Sequence, residues 1–299
     1  LATLHNNSGV NTAVRQIDTT LAGETNRTNL MNNLYRLDPG NGTPLLNALK
    51  QVGKYLSGLS NSSFPAAEKA PLPVAQGGEC QQNFTLVMTD GFYNGTYTDS
   101  NPAIGNADGD KSSSFDNKLY PLAGQTTPLY HESVAVTKTM ADIAMYYYEN
   151  DIVCGVANKV PVNPGIDENK AQHMVTFTIA FGLSGDLKGM PEEYAAHKPS
   201  ATCLAGTPCT TDWNNGVFPG WPVPSSSTKT SDNFTDKQKI DDVRHAAYNG
   251  RGEFLAAQNP DELASSLESM LASIQKRTSA SAGLSFNSTT VRTTTMVFQ

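Results

Sequence analysis

The apolar run Phe84-Thr85-Leu86-Val87-Met88-Thr89 ends in Asp90-Gly91. A buried strand with that ending delivers a carboxylate to the carboxyl edge of a sheet, where open α/β folds bind ligands. Upstream, Asn41-Gly42-Thr43-Pro44-Leu45 sets a hydroxyl at the start of an amphipathic segment, with Thr43 read as N-cap and Pro44 as the first helical residue. A hydroxyl and a carboxylate on neighbouring loops are two of the oxygen donors that a hard cation needs. Asn106-Ala107-Asp108-Gly109-Asp110-Lys111-Ser112 offers a second oxygen-rich group, with alternating donors around an interior glycine. It has the look of a calcium loop without the bidentate glutamate that closes one, and the competing reading is a polar surface loop.

Other residues argue against catalysis. There is no nucleophile elbow, His-Glu-x-x-His, phosphate-binding loop or dinucleotide glycine fingerprint. His173 stands before an apolar strand and His245 lies within a helical pattern, so both read as structural. Glu192/Glu193 and Asp241/Asp242 are adjacent in sequence and need not face one another. The expectation is a protein that is not an enzyme.

Strands and helices alternate around these groups. Leu45, Leu49, Val52 and Leu56 recur at helical spacing, and 83–89 reads as a strand. Val136, Met140, Ile143 and Tyr147 mark a helix over 136–149. Met174 to Phe181 is a continuous β-branched and aromatic run, the mark of a central parallel strand. Ile240, Val243 and Ala247 give another helix, and 252–257 a short strand. Asn259-Pro260-Asp261-Glu262 is a helix start with N-cap, proline and acid in order, followed by the stripe Leu263, Leu267, Met270, Leu271 and Ile274. Segments 91–131 and 184–236 are turn-rich insertions. This alternation predicts an α/β fold with a mostly parallel sheet and helices on both faces.

The chain has 299 residues, net charge −7 and only 16% charged residues. The acidic balance argues against nucleic acid or an anionic membrane as partner, and no apolar run is long enough to span a bilayer. Abundant Gly, Asn, Ser and Thr suit a secreted or surface protein. Leu1 to Leu4 and Met296 to Gln299 each read as strand fragments, so the chain is expected to be a segment of a longer polypeptide.

Asn41 to Leu45, Cys80 to Phe92, Ala141 to Tyr148, Gln172 to Gly182 and Asp241 to Gly252, taken in order, resemble the von Willebrand A-like domain of PilY/PilC-type proteins, the tip-associated adhesin and assembly factors of type IV pili. The resemblance implies a Rossmann-like sheet over 1–278. It also implies that 279–299 begins a following β domain, a β-propeller in such proteins. It implies a metal-ion-dependent adhesion site built from Asp-x-Ser-x-Ser, a threonine on a second loop and an aspartate on a third. Thr43 matches the second part and Asp90 the third. The first part is absent here, and with it the first strand, which would lie beside 83–89. Mg²⁺ is the implied cation, with Ca²⁺ the alternative at Asn106, Asp108 and Asp110. The implied partners are a host or surface protein ligand and pilin or minor pilins, at the cell surface. The competing reading is a structural, load-bearing pilus-tip module with a vestigial metal site.

The four cysteines, Cys80, Cys154, Cys203 and Cys209, show no metal-ligand spacing. They are either idle thiols or disulfides in one of three connectivities. Cys80 precedes one strand and Cys154 follows the helix returning to the same sheet end. Cys203 and Cys209 flank a short loop in the second insertion. The topology favours Cys80–Cys154 and Cys203–Cys209.

Overall fold

Met174–Phe181, the strand most strongly marked in the sequence, is the middle strand of a three-stranded parallel sheet in the computed structural model. The structure describes residues 15, 17–37, 42–59, 77–109, 130–132, 136–197, 213, 216–224 and 233–279, with the short pairs 285–286 and 297–298. In chain order the strands of the sheet are Asn83–Thr89 (β1), Met174–Phe181 (β2) and Arg251–Ala257 (β3), arranged β1-β2-β3. Registry runs unbroken from Asn83 opposite Met174 to Thr89 opposite Ala180. Between β2 and β3 it shifts near Thr176. Gly252 sits at that shift, where any Cβ would overlap the Thr176 carbonyl, so a residue without a side chain lets the strands close.

The described helices are Leu21–Tyr35 (α1), Leu45–Leu56 (α2), Met140–Glu149 (α3), Pro191–Ala196 (α4), Asn233–Asn249 (α5) and Pro260–Ser279 (α6). Leu45 and Leu49 of α2, Met140, Ile143 and Tyr147 of α3, and Val243 and Ala246 of α5 form one apolar layer with Val87 and Met174. Leu263, Leu267, Met270 and Ile274 of α6 cover the opposite face over Phe84, Val175, Phe177 and Ile179. The fold is therefore a Rossmann-like α/β arrangement with helices on both faces, as expected. Being covered on both sides, β2 is apolar almost throughout. In β1, Leu86 and Met88 lie beyond the reach of α6 and are 44% and 51% exposed. The strand expected near residues 1–5 lies outside the described residues.

Local chemistry sets the helix boundaries. At α3 a reciprocal capping box between Thr139 and Asp142 starts the helix at Met140, four residues later than the apolar spacing from Val136 predicts. At α6 the Glu262 amide donates to Asn259 Oδ1 at 2.9 Å, the expected cap. Leu271, which the spacing places in the core stripe, is instead 59% exposed. At α2 the cap position falls on Pro44, whose backbone is not helical, so Thr43 is displaced from the expected N-cap. Helix α1 has no apolar stripe, and the periodicity does not predict it. Local bonds support it, including Gly23 N–H to Thr20 Oγ1 and an Arg27–Glu24 pair.

Gly53 lies where α2 crosses α3, and a Cβ there would enter the Tyr147 ring. Gly53→Val should therefore destabilise the domain by about 1–3 kcal/mol through overpacking, despite valine's lower backbone entropy cost. A chemical-denaturation midpoint unchanged from wild type would contradict this.

Cys80 and Cys154 are exposed free thiols, so the expected bond between them is not made. Each is held on its own turn. The Cys80 amide closes onto the Gly77 carbonyl, and the Cys154 turn is fixed by Val153 N–H to Asp151. Cys203 and Cys209 lie outside the described residues. Ser285–Phe286 (β4) and Val297–Phe298 (β5) pair antiparallel as a separate two-stranded sheet. No helix among the described residues is long and apolar enough to cross a membrane.

Candidate metal centres

At the carboxyl end of β1, the loops of Thr43 and Asp90 lie side by side. The Asn94 amide donates to the Thr43 carbonyl at 2.9 Å. A Cβ built on Gly91 would sit 3.5 Å from Thr43 Oγ1. Thr89 holds the turn with its own hydroxyl, which accepts from Gly91 N–H at 3.2 Å. Asp90 is left exposed at its tip. The structure thus brings these two predicted residues to one place, on neighbouring loops above the sheet.

Of the Asn106, Asp108 and Asp110 group, Asn106 and Asp108 lie among the described residues. Asp110 lies outside the described residues. Asp108 turns inward and is fully buried, where Oδ2 accepts from Asn249 Nδ2 at 2.9 Å. Its neighbours come from distant sequence. Asp108 Oδ2 is 3.8 Å from His245 Nε2, and His245 Nδ1 is 3.6 Å from Glu132 Oε1. Asp108, Glu132 and His245 are all buried, and one ligand atom from each falls within 4.8 Å of the others, so the group can hold a metal ion. Burial first, then the charges of Glu132, Asp142 and Asp242, pushes the Asp108 carboxyl up to about 10.

Helix α5 positions much of this centre. Val243 and Ala246 pack in the apolar layer over the sheet, while Asp241, Asp242, His245 and Asn249 are polar and buried. The described parts of the two insertions cover them. Lys50 fastens the first insertion by donating to the Thr98 and Ser100 carbonyls at 2.7 and 3.1 Å. Tyr93, Tyr97 and Ile104 enter the core behind it. The second insertion builds a small aromatic core from Leu187, Tyr194, Phe218 and Trp221. The two meet where Glu132 forms a parallel bridge with Trp221, whose ring stacks on His245 at 4.2 Å. The adjacent acids Asp241 and Asp242 diverge. Asp241 accepts from Asp186 and Leu187 N–H, and Asp242 from Tyr93 and the start of α3.

Sequence pattern does not single out Glu132 and His245 as ligands. The one available signal is the polar series Asp242, His245, Asn249 on a single helix, which reads as a solvated face until the insertions are placed over it. His173 is structural as expected, bonded to Asp167 at 3.0 Å and to the Ala171 carbonyl at 2.7 Å.

Comparison with known proteins adds a relationship. The chain is 28% identical over 260 residues to the type IV pilus biogenesis factor PilY1 of Pseudomonas aeruginosa strain PAK, covering 82% of this chain and 20% of that protein. It is 27% identical over 267 residues to PilY1 of strain UCBPP-PA14, covering 85% of this chain and 20% of that protein. This chain is similar to PilY1 over most of its own length. It spans about a fifth of the length of these curated relatives. No family model matches the chain, and no solved structure matches it.

Proposed function

We propose that this chain is the von Willebrand A-like domain of a type IV pilus tip-associated protein, acting outside the cell in adhesion or pilus assembly. It is not an enzyme. It binds a protein ligand, a host surface protein or a pilin, through a divalent cation held at Thr43 and Asp90. The relationship to PilY1 supports the pilus role, and the pairing of the Thr43 and Asp90 loops is the observation that carries the binding mechanism. Mg²⁺ at these oxygens would leave a coordination position for a partner's carboxylate. The exposure of Asp90 suits a site that must reach a second protein. The pair β4 and β5 fits a following β domain beginning near residue 279.

In the full-length protein, Thr43→Ala and Asp90→Ala should each weaken Mg²⁺ or Mn²⁺ binding by at least tenfold, read by titration calorimetry. Unchanged affinity in both variants would reject the site.

A further inference from the structure

Asp108 Oδ1, Glu132 Oε1 and His245 Nδ1 are buried atoms with no hydrogen-bond partner, and one ligand atom from each of these residues lies within 4.8 Å of the others. The imidazole tautomer is set from its other side, where Nε2–H donates to the Tyr130 carbonyl at 2.9 Å. Nδ1 therefore carries a lone pair, and it faces a carboxylate oxygen at 3.6 Å. Two such acceptors opposed in a dry site are costly unless a cation lies between them. A shared proton would draw them to about 2.7–2.9 Å. Two ligands of one tetrahedral ion, with bonds of about 2.0–2.1 Å, stand about 3.3 Å apart, close to the spacing seen. A histidine whose remote N–H donates to a backbone carbonyl is also the usual arrangement of a metal ligand.

The surroundings favour positive charge. Glu132, Asp142 and Asp242 all act on Asp108, against the single imidazole of His245. The donor set is one imidazole nitrogen and two carboxylates. That suits first-row transition ions, whereas Ca²⁺ and Mg²⁺ take oxygen shells.

We propose that Asp108, Glu132 and His245 bind one first-row divalent ion, Zn²⁺ or Mn²⁺, which fastens both long insertions onto α5. Asp108 belongs to the first insertion, Glu132 directly follows it, and His245 belongs to the helix. Trp221, bridged to Glu132 and stacked on His245, brings in the second. The role is structural, because the centre is closed to solvent and shares no residue with the Thr43 and Asp90 site. It does not depend on the pilus function.

The test uses the whole chain carrying Asp90→Ala, so that the exposed site is silent. Protein stripped with chelator is reloaded separately with Zn²⁺, Mn²⁺, Mg²⁺ or Ca²⁺, desalted and assayed for metal content and melting. The expected result is about one Zn²⁺ or Mn²⁺ retained per chain, with the melting temperature raised by about 5–10 °C. Glu132→Gln should lose both the ion and the rise. Without metal it should melt no lower than the metal-free parent, because it removes a buried charge. His245→Gln, which keeps a polar side chain beneath Trp221, should lose the ion as well. Failure to retain Zn²⁺ or Mn²⁺, retention of the ion by either variant, or retention of Mg²⁺ or Ca²⁺ in its place would overturn the proposal.

Discussion

Asp242→Ala should destabilise the domain by about 3–5 kcal/mol, at the far end of single-residue effects. Asp242 Oδ2 accepts from Tyr93 Oη–H at 2.6 Å and from Met140 N–H at 2.9 Å, while Oδ1 accepts from Ala141 N–H at 3.1 Å. A carboxylate on α5 thus caps the positive end of α3 and anchors the first insertion through Tyr93. Alanine would orphan three buried donors at once. Asp242→Asn keeps one acceptor and should recover part of the loss. Urea unfolding followed by circular dichroism measures both variants. A cost for alanine below about 1 kcal/mol would mean that water or backbone replaces these bonds.

The metal-free domain should be more stable near pH 5 than near pH 7.5. Burial pushes the Asp242 carboxyl up to about 6, against the opposing pull of its bonds from Tyr93 and Met140. Burial raises Asp142 to about 6 as well, opposed by its bonds to Thr139. A folded value above the unfolded one means that the native state holds its protons more tightly. The contribution is therefore full below the unfolded value near 3.8 and is lost as pH rises through about 6. Each shift corresponds to about 3 kcal/mol. Asp167 runs the other way. Although burial raises it, His173 and further hydrogen bonds hold it below the ordinary carboxylate range, so its contribution is lost as pH falls through its folded value. The optimum should lie between the two regimes. Urea midpoints in chelator across pH 4–8 test this, and a midpoint that climbs steadily from pH 5 to 7.5 would contradict it.

How far the sequence can be read depends on whether local pattern or distant contact decides each element. The run 174–181 can be placed centrally because covering both faces of a strand leaves one solution, continuous β-branched and aromatic residues. The α6 start is legible because Asn259 and Glu262 cap it within one turn. Helix α1 is not legible, since its support is polar and local and no apolar stripe marks it. The apolar period misplaces the start of α3, because Val136 fits the period while Thr139 and Asp142 set the true boundary. At the exposed site, Thr43 and Asp90 can be paired because Thr43 precedes one recognisable element and Asp90 directly follows another. At the buried centre, Asp108 stands out for its spacing to Asn106 and Asp110. Its partners, Glu132 and His245, are brought to it by the folding of two irregular insertions, which no periodicity encodes.

A cation at the end of β1 is proposed to carry the domain's contact with its partner. This is tested most directly in cells expressing the full-length protein with Asp90→Ala, scored for surface pili and for adhesion with Mg²⁺ present or chelated. The variant should reach the surface in wild-type amounts, while adhesion or piliation falls at least tenfold and no longer responds to Mg²⁺. Wild-type piliation and adhesion that still depend on Mg²⁺ would contradict it.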